Sequence, residues 1–562
     1  MKFDSVFEYI GEFGTYQKRI YFLVCLPAIS TAIQMLMAVF ILNIPDHRCG
    51  IPGVKNDTFA SQGPVHDSLL NYTIPWMKDG NGDPIRASCE RYSENLTSTS
   101  SKSVVWNSSR TGCTYWVYDK SVFKETFVTE LNLVCNQKEL RSHANMVLMG
   151  GILFGALGLG LLSDAVGRKV AFMMSVVVHA GVCIGTSFVT NFYVFVALRF
   201  FVGASNAGLF MGAFVIGMEL VGPSKRTFAG IVIEIFWCLG LFILGGVAYA
   251  LRDWHHLQLA CSVPTVLFFS YYWLIPESPR WLLSKGRYAE AEAIIQKAAQ
   301  VNGVKLPDKL FDKDTLDENK SEAKIWEMFT SPKLLIRSLI IFINWLVVSM
   351  VYYGLGLNVG NLGGDVFLNF TIANIVELVS YFLCIALLDR VGRKLLHCGS
   401  MLLGGVACLA TLFPVIYGTS GHEWITITLS MIGKLGASAA FAIIYVFAAE
   451  LFPTVVRNSG MGASSFCARI GGMASPYIAD LGTLVDGEFS KALPLIVFGG
   501  SAIFAGILSL WLPETLDRVL PETIDDAKNF GKRNTGRSYE MNINTPSEET
   551  DGKWNPCFDE RL

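Results

Sequence analysis

Five ionisable side chains stand inside otherwise apolar stretches. They are Arg199 in RFFVG, Glu234 in GIVIEIFWCLG, Glu377 in FTIANIVELVSYF, Lys434 in GKLGAS and Arg469 in SSFCARIGGMASP, with Asp480 nearer the end of its stretch. A charge in a lipid-spanning segment is costly, so each such residue is a functional candidate or needs a partner. A carboxylate in a low-dielectric cavity attracts an organic ammonium strongly. A guanidinium suits bidentate gripping of a carboxylate. Aromatic faces receive cations, which adds Trp237, Tyr352 and Tyr353 to the candidates, with core packing as the competing reading of each. Together these groups are the chemistry of a receptor for a small organic ion. Arg199 and Lys434 occupy similar places in two parts of the chain, and a buried acid as partner is their plainer reading.

The elements that hold these residues are apolar helices. The hydrophobic fraction of the 562 residues is 52% and the charged fraction 16%, with a mean hydropathy of +0.41. A water-soluble surface does not support such values. Runs of about 20 residues, long enough to cross a bilayer core, recur about a dozen times between 20–43 and 490–512. The expected fold class is an all-α membrane protein with twelve transmembrane helices in lipid. Residues 1–276 form one six-helix bundle, 277–333 a cytosolic linker, 334–512 a second bundle and 513–562 a cytosolic tail. Within the linker, YAEAEAIIQKAAQVN (288–302) has the spacing of a short amphipathic helix.

An internal repeat supports two related halves. Asp164-Ala-Val-Gly-Arg-Lys169 is matched by Asp389-Arg-Val-Gly-Arg-Lys394. Glu219 and Arg226 are matched by Glu450 and Arg457, and Pro276-Glu277-Ser278 by Pro513-Glu514-Thr515. The three offsets are 225, 231 and 237 residues. Arg168, Lys169, Lys225, Arg226, Arg390, Arg393, Lys394 and Arg457 fall in short loops on one side, against Arg252 and Lys491 on the other. By the positive-inside rule the basic side is cytosolic, and both termini with it. Topology alone explains the bases but not the repeated acids. The sharper expectation is a gate in which Asp164, Glu219, Glu277, Asp389 and Glu450 pair across the halves with Arg168, Lys169, Arg226, Arg280, Arg393, Lys394 and Arg457 while the inner face is closed, and part when it opens.

The segment 44–143 is polar and falls on the outer side. It holds Cys49, Cys89, Cys113 and Cys135 and four Asn-x-Ser/Thr sequons at Asn56, Asn71, Asn95 and Asn107. It reads as an extracellular, glycosylated, disulfide-stapled loop whose pairing has three possibilities. A further sequon at Asn369 falls within a span. The net charge of −2 gives no field for nucleic acid. GGILFGALGLG (150–160) follows no strand and lacks the Lys-Ser/Thr of a phosphate loop, so close helix packing is its reading and nothing points to an enzyme. The pattern calls for neither a cofactor nor a metal.

The loops LSDAVGRK and LLDRVGRK, with PESPRW, resemble the major facilitator superfamily. Within it, the long outer loop, YALRDWHHLQLA, YYWLIPESPRWLLSKGR and AELFPTVVRNSGMG resemble the solute carrier 22 family of organic ion transporters over nearly the whole chain. VYYGLGLNVGNLGGDVFLNF is most similar to invertebrate organic cation transporters and the carnitine branch. The resemblance implies polyspecific transport at the plasma membrane by alternating access, with Glu377 facing a central cavity. It also marks two departures. The loop has four cysteines where vertebrate cation carriers usually have six, and Arg469 stands where those carriers have aspartate and carnitine or anion carriers have arginine. Glu377 with Arg469 fits a zwitterion such as carnitine; if an acid neutralises Arg469, a plain cation fits as well. An organic anion carrier, a sugar porter and a cell-surface receptor are the alternatives, and a coupling ion is left open. A sugar porter would show Gln pairs and Asn in place of VVSMVYYGLGLN. A receptor does not account for the repeated loop motifs.

Overall fold

The computed structural model of the chain describes residues 6–78, 84–95, 105–306, 331–417, 422–453, 455–484, 490, 492–516, 518, 521 and 523–530. Residues 307–330 of the expected linker, the tail past 530 and Lys491 lie outside them. Twelve principal helices follow the apolar runs: α1 (Thr15–Leu36), α2 (Glu139–Val166), α3 (Arg168–Thr186), α4 (Phe192–Glu219), α5 (Arg226–Ala250), α6 (Trp254–Leu274), α7 (Pro332–Asn358), α8 (Val366–Val391), α9 (Arg393–Ala410), α10 (Glu423–Leu451), α11 (Arg457–Ala479) and α12 (Leu493–Ser509). Among the described residues the first ten are long and apolar enough to cross a bilayer. Ser, Asn and Arg side chains dilute α11, and α12 has 17 residues, so these two are placed by the repeat rather than by hydropathy.

The repeat is visible in the packing. In the first six helices α1 lies on α5, α2 on α4 and α3 on α4; in the last six α7 lies on α11, α8 on α10 and α9 on α10. Between the halves, α2 packs along α11 and α5 along α8, again an equivalent pair. A single apolar core continues across this boundary, with Phe40 stacked on Phe367 at 5.6 Å and edge-on to Phe370 at 4.9 Å. Glycine makes the closest approaches possible. A Cβ at Gly151 or Gly155 would overlap the backbone of α4 at Phe200 or Ala204, as expected of packing through small residues.

Two spans are less regular than their hydropathy predicts. Helix α1 turns at Met37 and resumes over Ala38–Ile41, while α6 passes through a 3-10 stretch at Val263–Ser270. The helix predicted at 288–302 is present as Tyr288–Asn302. It does not hang from a flexible connector. Ala291, Ile295, Ala298 and Ala299 are buried against Val6, Phe7, Ile10 and Tyr16, and Asn302 hydrogen-bonds to Tyr16, Gln17 and Ile10.

Between α1 and α2 the polar segment forms a small disulfide-linked unit of three two-stranded antiparallel sheets. They pair β1 (His47–Cys49) with β6 (Trp116–Tyr118), β2 (Trp76–Lys78) with β3 (Pro84–Arg86), and β4 (Glu90–Asn95) with β5 (Val105–Gly112). The pairing left open by sequence is Cys49–Cys113 and Cys89–Cys135. A buried ion pair supports the fold of this unit. Asp57 takes Arg48 at 2.6 Å, His66 at 2.9 Å and the Ile51 N–H at 2.9 Å. Asn56 and Asn71 are exposed, whereas the side chains of Asn95 and Asn107 on β4 and β5 lie outside the described ones.

Candidate functional site

A cavity of about 50 Å³ lies between the two halves. It is lined by Thr31 and Met35 of α1, Ile152 of α2, Asn206 and Phe210 of α4, Glu234 and Trp237 of α5, Tyr352 and Tyr353 of α7, Phe441 and Tyr445 of α10, and Arg469 of α11. Five of the six predicted binding residues therefore meet in one place. The space is small beside a typical ligand pocket.

The sixth, Glu377, is placed differently. It is fully buried, with Lys434 Nζ at 2.9 Å and the hydroxyls of Tyr352 and Tyr381 donating to it at 2.5 and 3.0 Å. It stands behind Tyr352 rather than in the cavity wall. Lys434 also lies 3.8 Å from the centre of the Tyr352 ring, which is stacked on Phe441 at 4.7 Å. With Lys434 and Phe441 against Tyr352, the other aromatic side chains in the cavity wall are Phe210, Trp237, Tyr353, Phe441 and Tyr445. Trp237 stands edge-on to Phe210 at 5.8 Å, and its indole N–H has no partner among the described residues.

With Glu377 engaged by Lys434, the acid and base left to the cavity are Glu234 and Arg469, one from each half. Glu234 makes no hydrogen bond or ion pair among the described residues, and Arg469 Nε is buried without a hydrogen-bond partner among them. The Arg469 guanidinium lies against the Tyr353 hydroxyl. Among the described residues neither acid forms a salt bridge with Arg469, so a buried countercharge does not consume it. Arg199, the counterpart of Lys434 in the first half, has no acid among the described residues. Its Nη2 donates to Asn145 at 2.7 Å and its Nε has no partner there.

Sequence reasoning passed over the neutral lining. Asn206 donates to the Thr31 carbonyl at 3.2 Å, and its own side-chain oxygen is buried and unpaired among the described residues. An amide inside the apolar run of α4 was the available signal.

The repeated motifs sit at the end of the bundle opposite the disulfide unit. Arg168 pairs with Asp164 at 2.7 Å and Glu219 at 3.6 Å; Arg393 pairs with Asp389 at 3.1 Å and Glu450 at 3.2 Å. Glu277 accepts the Arg168 and Lys169 N–H groups at 2.9 and 3.1 Å, and Glu514 those of Arg393 and Lys394 at 2.9 and 3.1 Å. Gly167 and Gly392 adopt φ of 111° and 96°, a region that favours glycine. Arg226 and Arg457 open α5 and α11, and Arg280 lies on the short helix Pro279–Ser284. The ion pairs of Arg168 and Arg393 join residues of one half, not residues across the halves.

At the end near the disulfide unit an ion pair does cross the boundary. Arg141 of α2 reaches Asp480, the residue capping α11, at 2.5 Å; Ser142 also donates to Asp480 at 2.5 Å. Arg141 donates to Asn361 at 3.0 Å.

The chain matches the sugar (and other) transporter family over residues 98–524. It is 40% identical over 546 residues to the organic cation transporter protein of Drosophila melanogaster, covering 95% of this chain and 96% of that one. It is 34% identical to the organic cation/carnitine transporter 2 of Homo sapiens, covering 93% of each chain. Among solved structures, the inward open xylose transporter XylE from E. coli shares the fold at a TM-score of 0.56 and 15% identity, covering 72% of this chain and 94% of that one. Full-length likeness to named members, on a twelve-helix repeat of this form, places the chain in solute carrier family 22 of the major facilitator transporters.

Proposed function

We propose that this chain carries small organic cations and zwitterions across the plasma membrane, binding them between Glu234, Arg469 and the aromatic faces of Trp237 and Tyr353. The observation that carries the reading is the pair of cavity charges with no salt-bridge partner among the described residues, an acid from α5 and a base from α11. A molecule with an ammonium at one end and a carboxylate at the other answers both at once. The names of the relatives, organic cation and organic cation/carnitine transporters, support the same class of cargo. Polyspecificity fits a lining of aromatic and neutral polar groups, which constrains shape weakly.

In this reading the basic motif face and both termini are cytosolic, and the disulfide unit is extracellular, with glycans on Asn56, Asn71, Asn95 and Asn107. The loop-side end is closed by a contact between halves, while the motif ion pairs stay within each half. That is the arrangement of a carrier turned toward the cytosol. Asp164, Glu219, Asp389 and Glu450 then exchange partners as the inner face closes. Glu377 acts on the site through Tyr352 rather than by touching cargo. A plain cation is the second reading, favoured if Tyr353 alone occupies Arg469.

Uptake of labelled tetraethylammonium, carnitine and p-aminohippurate by expressing cells tests this, with Glu234→Gln and Arg469→Gln beside wild type. Carnitine uptake should fall sharply in both variants, and tetraethylammonium uptake in Glu234→Gln. Carnitine transport unchanged by Arg469→Gln would sink the zwitterion. Uptake of p-aminohippurate alone would sink both readings.

A further inference from the structure

Four segments lead from the central cavity toward the disulfide unit, and each lines a second cavity seven residues away in sequence. Met35 and Leu42, Ile152 and Asn145, Tyr353 and Gly360, and Arg469 and Pro476 form the four pairs. Along α2 and α11 these seven residues are two helical turns, about 10 Å along the axis. The second cavity therefore continues the first along one path. It is pinched to about 10 Å³, and the charged residues in its wall are Arg141 and Asp480.

We propose that Arg141 and Asp480 form the outer gate of this path, joined when the carrier faces the cytosol and parted when it faces out. The inference rests on the reading of the chain as a carrier. Arg141 belongs to the first half and Asp480 to the second, so separating the halves at this end must break their 2.5 Å contact. The side chains are 9% and 5% exposed, so in the closed form each charge depends on the other. Once the mouth opens, water can solvate both. Removing one partner thus raises the free energy of the closed form more than that of the open form, and the population shifts outward. Ser142 donates to the Asp480 carboxylate and Asn361 accepts from the Arg141 guanidinium, charge-assisted bonds that hold the two ends in register. When parted, the mouth presents a carboxylate and a guanidinium, the same two charges that the central cavity offers.

A cysteine at Gly360 is a suitable reporter, because a Cβ there meets Val39 Cγ1 at 3.5 Å, an ordinary contact. Cells expressing Gly360→Cys are labelled from outside with a membrane-impermeant methanethiosulfonate, with the parent chain and its own cysteines as the blank. Asp480→Asn and Arg141→Gln should each raise the labelling rate severalfold. The exchange Arg141→Asp with Asp480→Arg should return it toward the reporter alone. Unchanged rates in both single variants, or an exchange that labels as fast as they do, would overturn the gate. Surface biotinylation identifies any variant that fails to fold; Asp480→Glu or Arg141→Lys then takes its place, with a smaller rise expected and no rise counting against the gate. Labelling needs no substrate. A wild type that takes up no organic ion would sink the functional reading and leave this comparison readable.

Discussion

The Lys434 ammonium lies 2.9 Å from the Glu377 carboxylate, and one ring, Tyr352, touches both the pair and the central cavity. The buried charges are thus one ring away from the central cavity. Both charges hold that ring, Glu377 by accepting its hydroxyl and Lys434 by lying over its face.

Neutralising one member strands the other in a dry interior, at a cost of about 3–5 kcal/mol. Glu377→Gln and Lys434→Met should each lower the thermal unfolding temperature of the purified protein. The double variant should recover most of the loss. A double variant as unstable as the sum of the singles would mean that the two residues do not act as a pair.

Among the described residues Arg199 lacks the acid that Lys434 has. Asn145→Asp would place a carboxylate at the atom that already accepts from Arg199 at 2.7 Å. A charged hydrogen bond there should stabilise the fold by about 1–3 kcal/mol, read as a higher unfolding temperature. Lowered stability would show that Arg199 finds its countercharge elsewhere.

Burial alone would raise the pKa of the Asp57 carboxyl, but hydrogen bonds from Arg48, His66 and the Ile51 N–H, with the Arg48 charge, hold it below the usual value. The unfolded carboxyl titrates near about 3.9. The folded value is lower, so this stabilisation is present in full above that pH and is lost as pH falls through the folded value. Proteolysis of the disulfide unit should therefore be insensitive to pH from neutrality to mild acidity and accelerate below about pH 4. Asp57→Asn should be cleaved faster at neutral pH and lose that acid step.

The two disulfides close loops across sequence separations of 64 and 46 residues. Losing either should cost about 2–5 kcal/mol and reduce delivery to the cell surface. Non-reducing peptide maps of Cys113→Ser should retain the Cys89–Cys135 link. A new Cys49–Cys89 link would show that pairing is not dictated by the local fold.

Much of the architecture was legible in the sequence because its signals are local. Apolar runs marked the spans, and motifs at regular offsets marked the repeat, though not that Glu277 and Glu514 would accept the first amides of α3 and α9. Of the cavity-lining residues, Glu234, Trp237, Tyr352, Tyr353 and Arg469 stood out in the sequence because a polar or aromatic side chain in an apolar run must face something. What escaped depends on which helices touch. Nothing near Lys434 in sequence announces Glu377 as its partner, and Arg141 and Asp480 stand 339 positions apart. The disulfide pairing was hidden for the same reason.

The carboxylates of Glu277 and Glu514 hold the first amides of α3 and α9, each reaching back from beyond the sixth helix of its half. Each half is thereby belted, its last strut fastened to its third. A belted frame resists shear, so a push at one end arrives at the other as rotation of the whole rather than as slack between neighbours. In the proposed reading, the few contacts an ion would make with Glu234 and Arg469 act as the short arm of a lever whose long arm ends at the membrane surface. Loosening either belt should blunt that motion while leaving the grip on the ion intact.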